Sequence, residues 1–325
     1  MFNAKTYVRV LFFFFFLLAM VSVGYVYEFS KKYPLPITNR ISLDAKLMFI
    51  KNKINPDEID TLIVGSSIGL NNVLGSVLEE ASSKVKHVIN LSVYEATTLE
   101  VEQLLKLADA FPNLKRIIYS TQYSDFPHAK KYQEFHPKLY RKYMRHELSL
   151  SRTLKLYFNA CNNLLFCYKR AKSWEEKHMK NDQFTYLGFD HTGSVPLEIY
   201  RKEKVKGGRW SAPHPGIMHG ESFAAVERMS QHAAQKGIKF YLAHQHYREP
   251  LVKKYPKVEG ALNYFDKKIE AIFKKTHGVL IALQRVHLSD DYHADRSHLN
   301  RKGATIISKE IAKVIDQTES NNKGK

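Results

Sequence analysis

The sequence contains little cysteine, with Cys161 and Cys167 as the two examples in 325 residues. This scarcity excludes a scaffold built on disulfides and any zinc or iron–sulfur site that needs several cysteines. The two residues are compatible with one disulfide or with two buried thiols, and both readings stay open. Hydrophobic residues make up 44% of the chain and charged residues 25%, which excludes a disordered tail, a linker or a fibrous protein.

Acidic residues are also scarce relative to basic ones. The chain has 32 Asp and Glu against 50 Lys and Arg, a formal net charge of +18. The excess is spread out in pairs such as Lys130-Lys131, and neither a zinc finger nor an RNA-binding signature is present. We therefore expect no nucleic-acid partner. An anionic membrane surface or an acidic envelope polymer suits this charge better.

Long hydrophobic runs are absent apart from one near the N-terminus. From Val10 to Tyr27 there are 18 consecutive residues without a charge, preceded by Lys5 and Arg9. As a helix this run measures roughly 27 Å, close to the hydrocarbon thickness of a bilayer. It exceeds the usual apolar region of a signal peptide, so residues 1–27 are predicted to be an uncleaved signal anchor, with cleavage after about Gly24 as the alternative. We expect a single-pass membrane protein whose globular domain is extracytoplasmic, periplasmic or at the cell surface.

The rest of the chain is predicted to be a juxtamembrane connector at 28–57, a globular domain at 58–317 and a polar tail at 318–325. Short apolar runs alternate with helical patterns, which predicts a five-stranded parallel sheet with helices on both faces. The predicted strands are Thr61–Val64, His87–Leu91, Arg116–Tyr119, Ile238–Leu242 and Val279–Ala282. The predicted helices lie around 73–78, 99–111, 222–235, 264–275 and 304–315, and the connector holds a short amphipathic stretch at 43–54.

Residues 127–215 interrupt the alternation and are predicted to be a long, partly helical insertion over the site. This segment is rich in Tyr and Lys and holds both tryptophans, Trp174 and Trp210. Its aromatic residues suit a surface that stacks on sugars, or they form the core of the insertion itself.

Polar residues cluster where the first and last predicted strands end. Ser67 follows the first strand and enters a helix, where nearby amides stabilise negative charge, although serine is also a favoured N-cap. Asp295 and His298 lie between the last strand and the last helix, and their spacing allows the carboxylate to orient the imidazole. Because ligands bind beyond the carboxyl ends of parallel strands, these residues are expected to meet. Asp290 and His293 have the same spacing, so spacing alone does not choose between the two pairs.

Four blocks carry a resemblance to a known family. They are Ile63-Val64-Gly65-Ser66-Ser67, Asn90-Leu91-Ser92, Gln122-Tyr123-Ser124-Asp125-Phe126 and Asp295-Arg296-Ser297-His298-Leu299-Asn300-Arg301-Lys302-Gly303. In this order they resemble the SGNH (GDSL-like) hydrolase superfamily, in particular its membrane-anchored members that modify envelope polymers. These members include D-alanine transfer proteins of teichoic acid synthesis and O-acetyltransferases of exopolysaccharides. The resemblance covers about residues 58–126 and 222–316, and it implies a flavodoxin-like three-layer α/β fold.

The resemblance also implies roles for individual residues. Ser67 would be the nucleophile, His298 its base and Asp295 the acid that orients the base. The Leu299-Asn300 continuation favours this pair over Asp290 and His293.

Oxyanion donors are implied at the Ser67 amide, with Asn90 and Gln122 as further candidates. The chain departs from the family at Ser66, where an Asp is usual, and at Ser124-Asp125, where Asn-Asp is usual. The Gly that usually follows the Asn of the second block is also missing after Asn90.

A second polar group follows the fourth strand. His244, His246 and Arg248 are predicted to contact substrate in the cleft. The alternative is a metal held by the two histidines with Asp290 or His293, but this spacing is unspecific, and we expect neither a metal nor another cofactor.

Together these features predict an extracytoplasmic enzyme that transfers an O-acyl group, with acetyl as the expected one, to an envelope polysaccharide or teichoic-type polymer. With water as acceptor the same residues give an esterase. A transferase needs an acyl donor outside the cytoplasm, and the resemblance implies a multi-spanning membrane acyltransferase as partner. The alternative is a non-catalytic SGNH-fold protein that binds a glycan or scaffolds an envelope assembly.

Overall fold

The structure is a computed structural model. It describes residues 3–38, 40–126, 131, 134–180, 182–200, 218–254, 257–286 and 288–321. Trp210 and much of the predicted insertion beyond residue 200 therefore lie outside the described residues, as do residues 322–325 of the predicted tail.

Five parallel strands form one sheet in the order β2-β1-β3-β4-β5. The strands are β1 Thr61–Gly65, β2 Val88–Asn90, β3 Arg116–Thr121, β4 Lys239–His244 and β5 Val279–Ala282. The prediction of an α/β protein with a five-stranded parallel sheet is confirmed. The sequence signal was strong because strands covered on both faces are almost entirely apolar.

Twelve helices lie in the described residues. They are α1 Ala4–Lys32, α2 Ile41–Lys53, α3 Ser67–Asn72, α4 Gly75–Ala81, α5 Thr98–Leu104, α6 Pro137–Met144, α7 Leu150–Ala160, α8 Leu164–Lys177, α9 Gly220–Gln235, α10 Glu249–Lys254, α11 Lys257–Thr276 and α12 Arg301–Asn321. Short 3₁₀ helices extend α5 (Leu105–Ala110), follow β3 (Tyr123–Asp125) and β5 (Leu283–Arg285), and precede the last loop (Asp290–Tyr292).

Side chains of the strands alternate between two apolar cores. On β1, Leu62 and Val64 belong to the core that includes α5, α9 and α11, whereas Ile63 belongs to the core that includes α4 and α12. This alternation follows from the period of two along a strand. Both faces of the sheet are therefore closed by helices, and its carboxyl edge is left for polar side chains.

The N-terminal helix α1 is long and apolar enough to cross a membrane, and one 18-residue window has a mean hydropathy of 2.3. Phe12 and Phe16 are 73% and 65% exposed within the protein, as expected for a surface facing lipid. The last turns of α1 differ, because Val26 and Phe29 are buried in the core that includes α5, α9 and α11, called the main core here.

The predicted connector at 28–57 contains the end of α1 and the whole of α2. Leu43, Leu47 and Ile50 of α2 are fully buried in the main core. This segment therefore contributes to the folded body and does more than join it to α1.

Several helices differ from their predicted bounds. The single helix expected after β1 is split into α3 and α4, because the amide of Leu74 donates to Ser308 Oγ (2.9 Å) and that of Gly75 to Ser194 Oγ (3.0 Å). The helix expected at 99–111 tightens to a 3₁₀ helix after Leu104. At the end of the chain, α12 extends through residues 318–321 of the predicted tail.

Within the predicted insertion, α6, α7 and α8 are helical, and Cys161 and Cys167 form a disulfide between the end of α7 and the first turn of α8. Trp174 is buried and stacks on His178, so this tryptophan packs inside the protein. Farther along, Thr192 O accepts the amide of Asn90 (2.7 Å), which covers the outer edge of β2.

Candidate active site

The candidate nucleophile lies where β1 passes into α3. Gly65 ends the strand, and a Cβ at this position would lie 2.3 Å from the carbonyl oxygen of Ser120 on β3. Only glycine therefore lets the two strands approach so closely. Ser66 caps α3 by accepting the Ile68 amide on its Oγ (3.3 Å), and Ser67 begins the helix. From β1 the chain adds β2 on one side and β3 to β5 on the other, so the strand order switches between β1 and β3. Open parallel sheets form a crevice at this point.

A chain of hydrogen bonds joins Ser67 to the last loop. Ser67 Oγ lies 2.8 Å from His298 Nε2, and His298 Nδ1 lies 3.0 and 2.9 Å from the two carboxylate oxygens of Asp295. Since a carboxylate only accepts, His298 carries its proton on Nδ1 and presents the Nε2 lone pair to the Ser67 hydroxyl. This is the arrangement in which a histidine can remove a serine proton.

The spacing of three residues works because the loop closes on itself. Asp295 accepts the amides of Ser297 and His298, each at 2.8 Å, and the Ala294 amide donates to the His298 carbonyl (2.8 Å). Asn72 at the end of α3 then fixes the loop against the helix that carries Ser67, since it accepts the Leu299 amide at 2.9 Å.

The electrostatics of Asp295 favour its charged form. Burial raises the pKa of the Asp295 carboxyl. The hydrogen bond and charge attraction from His298, together with the two loop amides, lower this pKa by more, so it lies well below its ordinary value. Asp295 is therefore a carboxylate at neutral pH, able to stabilise an imidazolium at His298.

The side chains expected to donate to an oxyanion are engaged with other protein groups. The side-chain amide of Asn90 is fully buried and donates to Gly69 O (2.9 Å), Val73 O (3.2 Å) and Ser194 Oγ (3.1 Å). It holds α3 against the sheet and faces these protein acceptors. The backbone amide of Gln122 donates to Asp125 Oδ2 (3.2 Å), and the Gln122 side chain accepts from the Asp125 backbone amide.

Asn71 is committed in the same way, because its Nδ2 donates to Val195 O (3.0 Å) and Tyr94 Oη (3.3 Å). The backbone amide of Ser67 lies in the first turn of α3, where amides have no acceptor within the helix.

A second carboxylate near Ser67 was not assigned a role from the sequence. Asp125 Oδ2 accepts from Ser66 Oγ (3.1 Å) and Thr121 Oγ1 (3.0 Å), beside the helix cap. Burial raises the pKa of the Asp125 carboxyl to about 6, against the lowering effect of these hydrogen bonds and of nearby His298. The sequence signal was present, since Asp125 lies in the third block of the resemblance.

Aromatic side chains form a wall beside His298. The ring of Phe184 lies 4.7 Å from the His298 ring, and Tyr94 packs against Phe184 at 5.4 Å. Tyr94 in turn donates to the carbonyl of Tyr186 (3.0 Å). Phe184 comes from the segment predicted to be an insertion, and nothing in the sequence singled out this aromatic residue.

The structure places His244, His246 and Arg248 in contact with other protein groups. His244 is fully buried, with Nδ1 2.6 Å from Asp266 of α11. Arg248 makes a two-point ion pair with Asp290 (2.9 and 2.8 Å). Contact of these side chains with a substrate stays a prediction.

His246 is also buried, and its Nε2 lies 2.9 Å from Nε2 of His293. His293 Nδ1 lies 3.0 Å from the Ser289 carbonyl and must donate to it, so His293 Nε2 is the acceptor and His246 Nε2 the donor. Of the alternative pair, Asp290 binds Arg248 and His293 contacts His246. Among the described residues, no group of three or more His, Cys, Asp or Glu side chains is arranged to hold a metal ion.

The buried histidine pair predicts a pH effect on stability. Burial lowers the pKa of His246 to about 3 and that of His293 to about 4, so both stay neutral in the folded protein at pH values where the unfolded chain binds protons. The free energy of unfolding therefore loses up to about 1.4 kcal/mol per pH unit for each histidine as the pH falls below about 6.5. In His246→Gln, we expect one such contribution to disappear from the slope between about pH 6 and 4, as measured by urea unfolding.

The comparison has to be made between variant and wild type. Burial also raises the pKa of Asp44 to about 7, and this carboxyl changes stability with the opposite sign in the same window. Identical slopes in the two proteins would contradict the assignment of a neutral, buried His246.

Comparison with models of known protein families gives no match, and comparison with curated protein sequences gives none either.

Proposed function

We propose that this chain is a membrane-anchored serine acyl-ester enzyme of the SGNH type that transfers an O-acyl group to, or hydrolyses it from, an extracytoplasmic polysaccharide. The observation that carries the proposal is the hydrogen-bond chain from Ser67 through His298 to Asp295 at the carboxyl edge of the sheet. The strand order β2-β1-β3-β4-β5 supports the flavodoxin-like three-layer assignment, because it is the order of that doubly wound fold.

The proposed reaction begins with acylation of Ser67. Ser67 Oγ attacks the acyl carbonyl carbon while its proton passes to His298 Nε2, and Asp295 stabilises the resulting imidazolium. The tetrahedral oxyanion is received by the Ser67 amide at the start of α3. Its collapse breaks the ester bond, and the leaving alkoxide takes the proton from His298, which leaves an acyl group on Ser67.

The second half of the reaction repeats these steps with a new acceptor. A sugar hydroxyl or a water molecule loses its proton to His298 and attacks the acyl-Ser67 carbonyl, and Ser67 leaves with that proton. A sugar acceptor gives transfer and water gives hydrolysis. The nearby wall of Phe184 and Tyr94 offers apolar surface for an acyl group or a sugar face.

Location outside the cytoplasm is part of the proposal. The apolar helix α1 supports a single membrane anchor, and the disulfide Cys161–Cys167 is typical of an oxidising compartment. We infer that a multi-spanning membrane acyltransferase supplies the acyl group to this enzyme, since acetyl-CoA is absent there.

The test is labelling with a fluorophosphonate, in which an activated serine attacks phosphorus and expels fluoride. The full chain in detergent is the right sample, because Val26 and Phe29 of α1 belong to the core and a truncated fragment would expose it. We expect peptide mass spectrometry to find the adduct on Ser67, and no adduct in Ser67→Ala. A folded, unlabelled wild type would contradict an activated serine.

One observation favours a second candidate function, a non-catalytic protein that binds a glycan or scaffolds an envelope assembly. The side-chain amides of Asn90 and Asn71 are committed to protein acceptors, which leaves the oxyanion with fewer donors than the family pattern implies. In that case Ser67→Ala would keep full biological activity, whereas the enzyme requires Ser67.

A further inference from the structure

Helices α7 and α8, with the disulfide that joins them, are called the α7–α8 unit here (Leu150–Lys177). Neither the candidate active site nor the proposed reaction uses this unit. Its position relative to α1 and the chemistry of its exposed side chains point to a separate role.

Both helices of the unit contact the end of α1. Tyr157 of α7 is buried, and its ring lies 6.0 Å from Tyr25 and 5.1 Å from Phe29. From α8, Glu175 accepts a hydrogen bond from the Tyr33 hydroxyl (2.6 Å). The unit is therefore fixed to the last two turns of the helix that is apolar enough to span a membrane.

No spacer separates the unit from the apolar run of α1. Tyr25 lies two residues before the end of the uncharged run at Tyr27, which is roughly 3 Å along a helix. The headgroup layer on each side of the hydrocarbon is roughly 5–8 Å thick. If α1 spans a bilayer, α7 thus lies at the depth where the hydrocarbon meets the headgroups.

The exposed side chains of the unit suit that depth. Outside α1, nine large apolar side chains are exposed among the described residues, and five of them lie on this unit. They are Leu150 (51% exposed), Phe158 (49%), Leu165 (55%), Phe166 (44%) and Tyr168 (66%). Phe158 directly follows Tyr157 and packs on its ring at 5.5 Å, so the apolar surface continues from α1 onto α7.

The charge of the unit complements anionic lipid. It contains six Lys and Arg against two Glu, and its exposed basic residues include Arg152, Lys155, Lys169 and Lys172. Long basic side chains next to aromatic ones are typical of segments at a membrane interface, because their apolar stems lie along the acyl chains while the charged groups reach the phosphates.

The opposite side of α8 is held by the protein. Arg170 forms a buried ion pair with Asp44 of α2, and Cys167 and Trp174 are buried. The unit cannot rotate these groups outward without breaking a buried pair, so the exposed set is fixed.

We propose that the exposed side of the α7–α8 unit lies in the headgroup layer of the membrane that α1 spans, with anionic phospholipid as its partner. This inference rests on α1 being a membrane anchor, which is part of the proposed function. Such a second contact beside the anchor would hold the globular domain at a fixed tilt over the bilayer.

The test uses the full chain in vesicles that contain a phosphatidylcholine with a photoreactive group high on its acyl chain, with and without phosphatidylglycerol. After illumination, cross-linked positions are mapped by peptide mass spectrometry. We expect cross-links on α1 and also on Phe158, Leu165 and Phe166, with more on the unit when phosphatidylglycerol is present. Tyr264 of α11, 38% exposed and outside the unit, is the internal reference and should stay unlabelled.

The outcomes separate the inference from the proposed function. Cross-links on α1 with the unit at the level of Tyr264 would overturn the inference and leave the anchor standing. Absence of cross-links on α1 as well would overturn both. The unit could instead cross-link to a protein in native membranes and not to lipid in vesicles. That result would assign the surface to a protein partner and reject the lipid.

A variant adds a second measurement. In Phe158→Glu/Leu165→Glu/Phe166→Glu, lipid cross-linking of the unit should fall severalfold while that of α1 is unchanged. Tyr264→Glu, which places the same charge on another exposed aromatic, should change neither. Cooperative urea unfolding of each variant in detergent, followed by its helical signal, reports whether it is folded.

Discussion

Asp295→Asn is expected to slow acylation of Ser67 by an activated ester by about 10⁴-fold. Asparagine has the shape of aspartate and can still accept the amides of Ser297 and His298 on its oxygen. Its NH₂ group, however, would face His298 Nδ1, which favours a proton on Nε2 and removes the lone pair that Ser67 needs. Rapid-mixing measurement of the acylation rate gives the effect directly.

Asp290→Asn is the matched control. Asp290 has the same three-residue spacing to a histidine in the sequence, but in the fold it pairs with Arg248. We expect its acylation rate to stay within a few-fold of wild type. A large loss in Asp290→Asn together with a small one in Asp295→Asn would reassign the base to His293.

Arg116→Ala is expected to lower the free energy of unfolding by about 3–5 kcal/mol. The guanidinium binds Glu319 with two hydrogen bonds of 2.7 Å, lies 3.7 Å from Asp60, and is 7% exposed. Its removal leaves two largely buried carboxylates without their cation, and the C-terminal part of α12 loses its tie to β3. Urea unfolding in detergent, with helical signal as the readout, measures the change.

Arg228→Ala provides the comparison, since Arg228 also makes two hydrogen bonds to one glutamate, Glu102, at 2.6 and 2.9 Å. Its side chain is 44% exposed, so water replaces the lost contacts and the expected cost is below about 1 kcal/mol. Equal losses in the two variants would show that burial of the Arg116 network contributes nothing.

The strands could be predicted because burial on both faces leaves a strong local signal. Val279–Ala282 has the same bounds in sequence and structure, and the other four strands differ by a few residues at their ends. Helix ends were harder to predict. The break between α3 and α4 depends on hydroxyls of Ser194 and Ser308, which lie more than a hundred residues farther along the chain.

The candidate site divides in a similar way. Ser67 and the loop of Asp295 and His298 were visible because each follows a predicted strand, and parallel strands bring their carboxyl ends to one edge. His244 and His246 follow a strand as well, yet they pair with Asp266 and His293 inside the protein. Sequence position brought both sets to the same edge and left the direction of each side chain undecided.

What the sequence determined by itself is local in origin: the apolar N-terminal span, the parallel α/β pattern, and the short turn in which Asp295 can reach His298. Tertiary structure decided which of the two Asp–His pairs meets Ser67, and it committed the amide of Asn90 to α3. It also brought Phe184 onto the His298 ring. These contacts join residues far apart in the chain, so they follow from how the elements pack and have no signal in any single segment.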